Sequence, residues 1–173
     1  MKNVPLSVKA VVQSRREVGA LLRKPGDAVI IQRGQPRWMI LNCPCGCGED
    51  IPINLDRRAG DAWRYYDGSG GGVTLFPSVW RDTGCQSHFI VWRGRILLLD
   101  AYGDDESSPL PGFRDLVERV SSRWPSAAMI SYVDVADQMG EIPWDVLDAC
   151  RRLVREGVLV EGSGQQRTMF RRR

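Results

Sequence analysis

The segment Asn42-Cys43-Pro44-Cys45-Gly46-Cys47-Gly48-Glu49 places three thiols in one tight stretch. A second segment, Gly84-Cys85-Gln86-Ser87-His88-Phe89, adds a fourth thiol and the only histidine of the chain. Glycines between the thiols permit positive φ, so the backbone there is able to fold around an ion. The second segment carries Cys and His two residues apart, the spacing of a metal knuckle. The two segments lie far apart along the chain, so an ion shared between them would tie two hairpins together. Zinc takes four such ligands in a tetrahedron. Cys43, Cys45, Cys47, Cys85 and His88 make five candidates, one more than zinc needs. A zinc cofactor in a structural role is the first expectation, and in small domains bound zinc is worth on the order of 10 kcal/mol. A catalytic zinc keeps one position open and usually has His or carboxylate ligands. A Rieske-type iron–sulfur centre needs two histidines, and this chain has one.

The surplus ligand has a chemical consequence. If the four cysteines hold the metal, His88 is left as a general base. Ser78, in Pro77-Ser78-Val79-Trp80, and Ser87 are the candidate nucleophiles. Ser87 adjoins His88, and neighbours on a strand point to opposite faces, which makes Ser78 the better partner. Backbone amides of the Gly84–Ser87 turn are candidates for the oxyanion, and Asp82 or Glu49 for orienting the imidazole. Two rival assignments stand beside this one. In the first, His88 is the fourth zinc ligand and Ser78 only caps a turn after Pro77. In the second, His88 and two or three cysteines hold a catalytic zinc with Glu49 as general base, a metallopeptidase arrangement.

Outside these segments the chain is ordinary. It has 173 residues, 43% hydrophobic and 26% charged, enough for one core and a small second one. Its 24 Lys+Arg against 21 Asp+Glu give a net charge of +3, which excludes a polybasic tail protein and a strongly acidic one. No apolar run approaches the ~20 residues of a membrane span, and the N-terminus does not read as a signal peptide. A cytoplasmic protein with no membrane partner is expected. Five cysteines, an odd number, argue against a disulfide framework. Cys150 sits in a helical pattern and is expected to be a buried apolar residue. Neither standard glycine-rich phosphate loop is present.

Periodicity divides the chain in three. Residues 1–104 read as a β-rich metal-binding domain. Ser14–Leu22 has the pattern of a short helix stopped by Pro25-Gly26. Strands are predicted at Ala28–Arg33, Arg37–Asn42, Glu49–Leu55, Ala62–Tyr66, Val73–Phe76, Ser87–Trp92 and Ile96–Asp100, with a glycine-rich turn over 67–72. Short strands joined by such turns point to an antiparallel sheet, sandwich or small barrel. Trp38, Trp63, Trp80 and Trp92 are expected to fill its core. Residues 105–111 read as a linker. Residues 112–173 switch to helical period: Phe113–Val120, Tyr132–Met139 and a helix from Pro143 carrying Val146, Leu147, Cys150, Leu153 and Val154, then a hairpin around Gly162-Ser163-Gly164. That is the order of a winged helix. The fold class expected is α+β: a small, mostly antiparallel β domain with a zinc site, followed by a winged-helix-like region.

The motifs carry a resemblance. The pattern C-x-C-G-C-G, a Trp-containing strand, G-G-V-x-L-x-P-S, and G-C-x-S-H-F before an R-G-R hairpin resembles a bacterial domain family found in ubiquitination-like (Bub) operons linked to antiphage defence. It covers residues 26–100, and Cys43, Cys45, Cys47, Gly48, Pro77, Ser78, Cys85, Ser87 and His88 stand where the family pattern has them. The resemblance implies a mostly β, metal-binding peptidase that trims or removes a ubiquitin-like protein, with that protein and its conjugation enzymes as partners. The non-enzymatic alternative is a zinc-binding adaptor, or a nucleic-acid binder through the winged helix. Against the latter, residues 107–173 hold ten arginines and nine acidic residues, and the third helix opens on Trp144, Asp145 and Asp148. Phosphate-binding helices are far more basic. Protein contact or oligomerisation is therefore the favoured role of the tail, simple structural support comes next, and nucleic acid last.

Overall fold

The computed structural model describes residues 3–68, 72–98, 112–124 and 128–173. The predicted linker 105–111, part of the glycine-rich 67–72 turn and the end of the Ile96–Asp100 strand lie outside the described residues. The chain divides into two compact units, Met1–Asp105 and Glu106–Arg173. Among the described residues no helix is long and apolar enough to cross a membrane.

The first unit is β-rich. One four-stranded sheet has the order β2 (Ser7–Val12), β3 (Asp27–Arg33), β4 (Gln35–Asn42), β5 (Asp50–Asn54). A second has the order β1 (Asn3–Pro5), β10 (Arg95–Leu98), β9 (His88–Trp92), β8 (Val79–Trp80). Strands β6 (Arg64–Gly68) and β7 (Gly72–Phe76) form a separate hairpin. Pairing is antiparallel with one correction to the expected pattern: β2 runs parallel to β3. One core draws on all three sets of strands. Ile30, Met39, Leu41 and Ile53 from the first sheet meet Leu75 of the hairpin and Val79, Phe89, Val91 and Ile96 of the second sheet.

Strand β3 is buried on both faces, which accounts for its unbroken Ala28–Ile31 apolar run. Ala28 and Ile30 point to the main core. Val29 and Ile31, with Ile40 of β4, are covered by Val18, Leu21 and Leu22. The predicted helix over Ser14–Leu22 is not formed. Only a single 3-10 turn, Arg15–Glu17, appears, closed by a capping box between Ser14 and Glu17. Its apolar spacing serves packing on the outer face of β3 and β4, a demand that mimics helical period. The tryptophans also depart from expectation. None of Trp38, Trp63, Trp80 and Trp92 is fully buried, and Trp80 is 68% exposed.

The second unit holds α1 (Phe113–Arg123), α2 (Tyr132–Met139) and α3 (Pro143–Arg155) with a three-stranded sheet of order β11 (Ile130–Ser131), β13 (Met169–Arg172), β12 (Leu159–Glu161). Leu116, Val120, Val135, Val146, Leu147, Leu153 and Phe170 are buried, as is Cys150. Trp124 caps this core: its indole N–H donates to the Phe170 carbonyl at 3.1 Å, and its ring meets Phe170 edge-on.

Gly26 enters β3 at φ +87°, and a Cβ there would meet the Pro5 carbonyl oxygen at 2.4 Å. This close approach lets the Ser7 amide reach the Gly26 carbonyl, joining the N-terminal strands to β3. Gly26→Ala therefore combines a disfavoured φ, about 1–2 kcal/mol, with a backbone clash. We expect a lowered melting temperature with secondary structure otherwise retained, measured by circular dichroism. An unchanged melting temperature would show that the N-terminal strands do not contribute.

Candidate functional site

Cys43 directly follows β4, and its amide donates to the Glu49 carbonyl at 2.9 Å, so residues 43–49 close as a compact loop between β4 and β5. Gly46 and Gly48, at φ +91° and +80°, make that loop possible. Cys85 lies in the loop joining β8 to β9. The two loops meet. Ligand atoms of Cys43, Cys45, Cys47 and Cys85 all lie within 4.8 Å of one another. Cys43 Sγ is 3.3 Å from Cys45 Sγ and 3.6 Å from Cys85 Sγ. A tetrahedron of sulfurs around a metal with bonds of about 2.3 Å has an edge of about 3.8 Å, so the donor set fits a metal ion.

The electrostatics point the same way. Burial, then the Cys43 thiol, pushes Cys45 up to about 12. The Ser87 hydroxyl holds Cys85 down at about 6, against the opposing effect of burial. Four thiolates at this spacing repel strongly and require a cation to coexist. Arg81 supplies part of the positive charge. Its guanidinium pairs with Glu49 of the first loop and lies 3.7 Å from Cys85 Sγ of the second. Ser87 is buried and donates its position to the same cluster, 3.4 Å from Cys43 Sγ and 3.3 Å from Cys85 Sγ.

His88, the next residue, faces the other way. Its Nε2 is 3.0 Å from Ser78 Oγ. The imidazole is not among the four side chains that share the thiol cluster. Alternation along β9 explains the separation: Ser87 turns to the sulfurs, Phe89 to the core, and His88 to the opposite face. Ser78 follows the cis Phe76–Pro77 peptide and precedes β8. Its carbonyl accepts the Trp63 indole N–H at 3.2 Å, which pins the backbone beside the hydroxyl.

Other expected roles fare differently. Glu49 is held by Arg81, so its carboxylate is engaged away from the imidazole. The turn amides proposed for an oxyanion are partly committed: the Gln86 amide donates to Thr83 at 3.4 Å, and the Ser87 amide is turned to Cys85 Sγ. Arg81, Trp63 and Trp80 were missed as contributors. Trp80 had a readable signal, since in Pro77-Ser78-Val79-Trp80 it alternates with an apolar core residue.

Residues 14–99 match the model of a family described as a bacterial ubiquitination-like system serine protease, BubE. The match spans most of the β-rich unit and bears out the resemblance read from its motifs. No curated protein and no solved structure matches the chain.

Purified chain should carry one metal ion, measured by elemental analysis. Cys43→Ser, Cys45→Ser and Cys85→Ser should each lower the metal content, and a strong chelator should unfold the β-rich unit, because ion binding there is folding free energy. Full metal-free stability would contradict a structural site.

Proposed function

We propose that, as the family match to residues 14–99 suggests, this chain is a serine-type peptidase that processes or deconjugates a ubiquitin-like protein in a bacterial ubiquitination-like pathway. The observation that carries the reading is the Ser78 Oγ to His88 Nε2 distance of 3.0 Å, on a face separate from the thiols. The metal in this reading is zinc, held by Cys43, Cys45, Cys47 and Cys85. Its contribution is structural, holding the β4–β5 loop against the β8–β9 loop. With His88 Nε2 unprotonated, the Ser78 hydroxyl donates to it. Ser78 Oγ attacks the scissile carbonyl carbon as its proton passes to His88. The imidazolium then protonates the leaving amine as the C–N bond breaks, and water hydrolyses the resulting ester by the same base.

The C-terminal unit is read as winged-helix-like from its element order, with α3 in the position of a recognition helix. We assign it to protein contact. Asp145 and Asp148 stand at the start of α3, and Arg152 near its end is paired with Glu156, an arrangement poorly suited to a phosphate backbone. A cytoplasmic location belongs to the same reading.

The test is cleavage of a ubiquitin-like protein bearing a C-terminal extension, comparing wild type with Ser78→Ala and His88→Ala. Each substitution should lower kcat/KM by at least about a thousandfold. A fluorophosphonate should label wild type and leave Ser78→Ala unlabelled. Equal cleavage by all three proteins would end the serine mechanism.

A further inference from the structure

Strand β8 is the outermost strand of its sheet, and among the described residues no strand pairs with its other edge. Its register fixes which groups face outward. Val79 lies opposite Phe89 and Trp80 opposite His88, and the Arg81 amide donates to the Ser87 carbonyl at 3.0 Å. In an antiparallel ladder, hydrogen-bonded and non-hydrogen-bonded pairs alternate. Arg81–Ser87 is a hydrogen-bonded pair, so Trp80–His88 is the intervening one. The N–H and C=O of Trp80 therefore point away from β9, to the open edge. The same alternation sends the Ser78 carbonyl to that edge, where the Trp63 indole already occupies it. The free stretch thus begins at Trp80, two residues from the Ser78 hydroxyl.

The side chain of Trp80 adds a second, independent feature. It is 68% exposed, and its ring lies 6.3 Å from the His88 ring on the same face of the sheet. An indole left in water beside a reactive pair is surface that folding does not use. Nearby Arg81 is committed to Glu49 and Cys85. What fits an open strand edge with an apolar wall is an extended polypeptide segment: main-chain hydrogen bonds hold it, and one of its side chains lies on the indole.

We propose that the free edge of β8 docks the extended C-terminal tail of the protein substrate as an added strand, hydrogen-bonded to the main chain of Trp80 and resting a small or apolar side chain on its ring, so that the tail passes across Ser78. This rests on the peptidase reading above and deepens it by naming the form in which substrate is presented. Trp80 is a substrate-binding residue in this scheme, not a participant in bond making. A tail free of regular structure reaches a strand edge without any unfolding of the domain that carries it.

The test uses the full chain carrying Ser78→Ala and a synthetic dodecapeptide from the tail of the ubiquitin-like protein conjugated by the same system. Binding should slow hydrogen exchange of the Trp80 amide, read by NMR. A set of peptides methylated at one amide each should lose affinity at every second position, the period of a strand. Trp80→Ala should weaken binding about tenfold or more, and Trp80→Phe should recover much of the loss. Peptide binding with the Trp80 amide unprotected would overturn the proposal. So would the absence of binding, or protection of that amide by self-association without peptide. Fluorophosphonate labelling of the wild type needs no peptide, so failure of the Ser78 assignment is seen separately from failure of the docking edge.

Discussion

The four-thiol cluster is the constraint on which the first unit depends. Cys43, Cys45 and Cys47 belong to the loop between β4 and β5, and Cys85 to the loop between β8 and β9. Those loops end different sheets. A cation at this point would join the two sheets at the edge of the core that Cys43, Cys45 and Cys85 pack against. Cys43, fully buried, is part of that core and of the cluster at once. Arg81 and Ser87 complete the arrangement, one by charge and the other by hydrogen bonding to sulfur.

The position of the imidazole follows from this anchor. Cys85 fixes the far end of the β8–β9 loop, and three residues later His88 opens β9. Strand alternation then divides the chemistry. One face receives thiols and a buried hydroxyl, and the other receives His88, Ser78 and Trp80. Trp63 holds the Ser78 carbonyl from the side, so the serine is restrained at its backbone while its hydroxyl meets the imidazole. Ser78 and Cys85 are near neighbours in sequence, yet the Ser78–His88 pair stands apart from the four thiols.

Much of this is legible in the sequence alone. The glycine-spaced thiols announced a metal loop, and the one-residue offset between Ser87 and His88 already implied opposite faces. Strands β3 to β7, β9, β10 and the three helices stand out through apolar runs, turns and helical spacing. The failures have physical causes. Ser14–Leu22 satisfies a helical template because Val18, Leu21 and Leu22 must cover β3 and β4. Strand β1 has only three residues, too few for a period, and β2 mixes Lys9 with apolar residues and leaves Val8 and Val11 exposed, so no burial pattern marks it. Strand β8 has only two residues, too short for any period. Residue type alone points Trp80 to the core, yet its alternation with buried Val79 places it outside.

The proposed site divides its labour: sulfur for the metal, imidazole for the serine. X-ray absorption at the metal edge of the purified chain tests that most directly. Four sulfur neighbours at about 2.3 Å, with no nitrogen in the shell, is the predicted result. A shell of three sulfurs and one imidazole nitrogen would place His88 on the metal and contradict it.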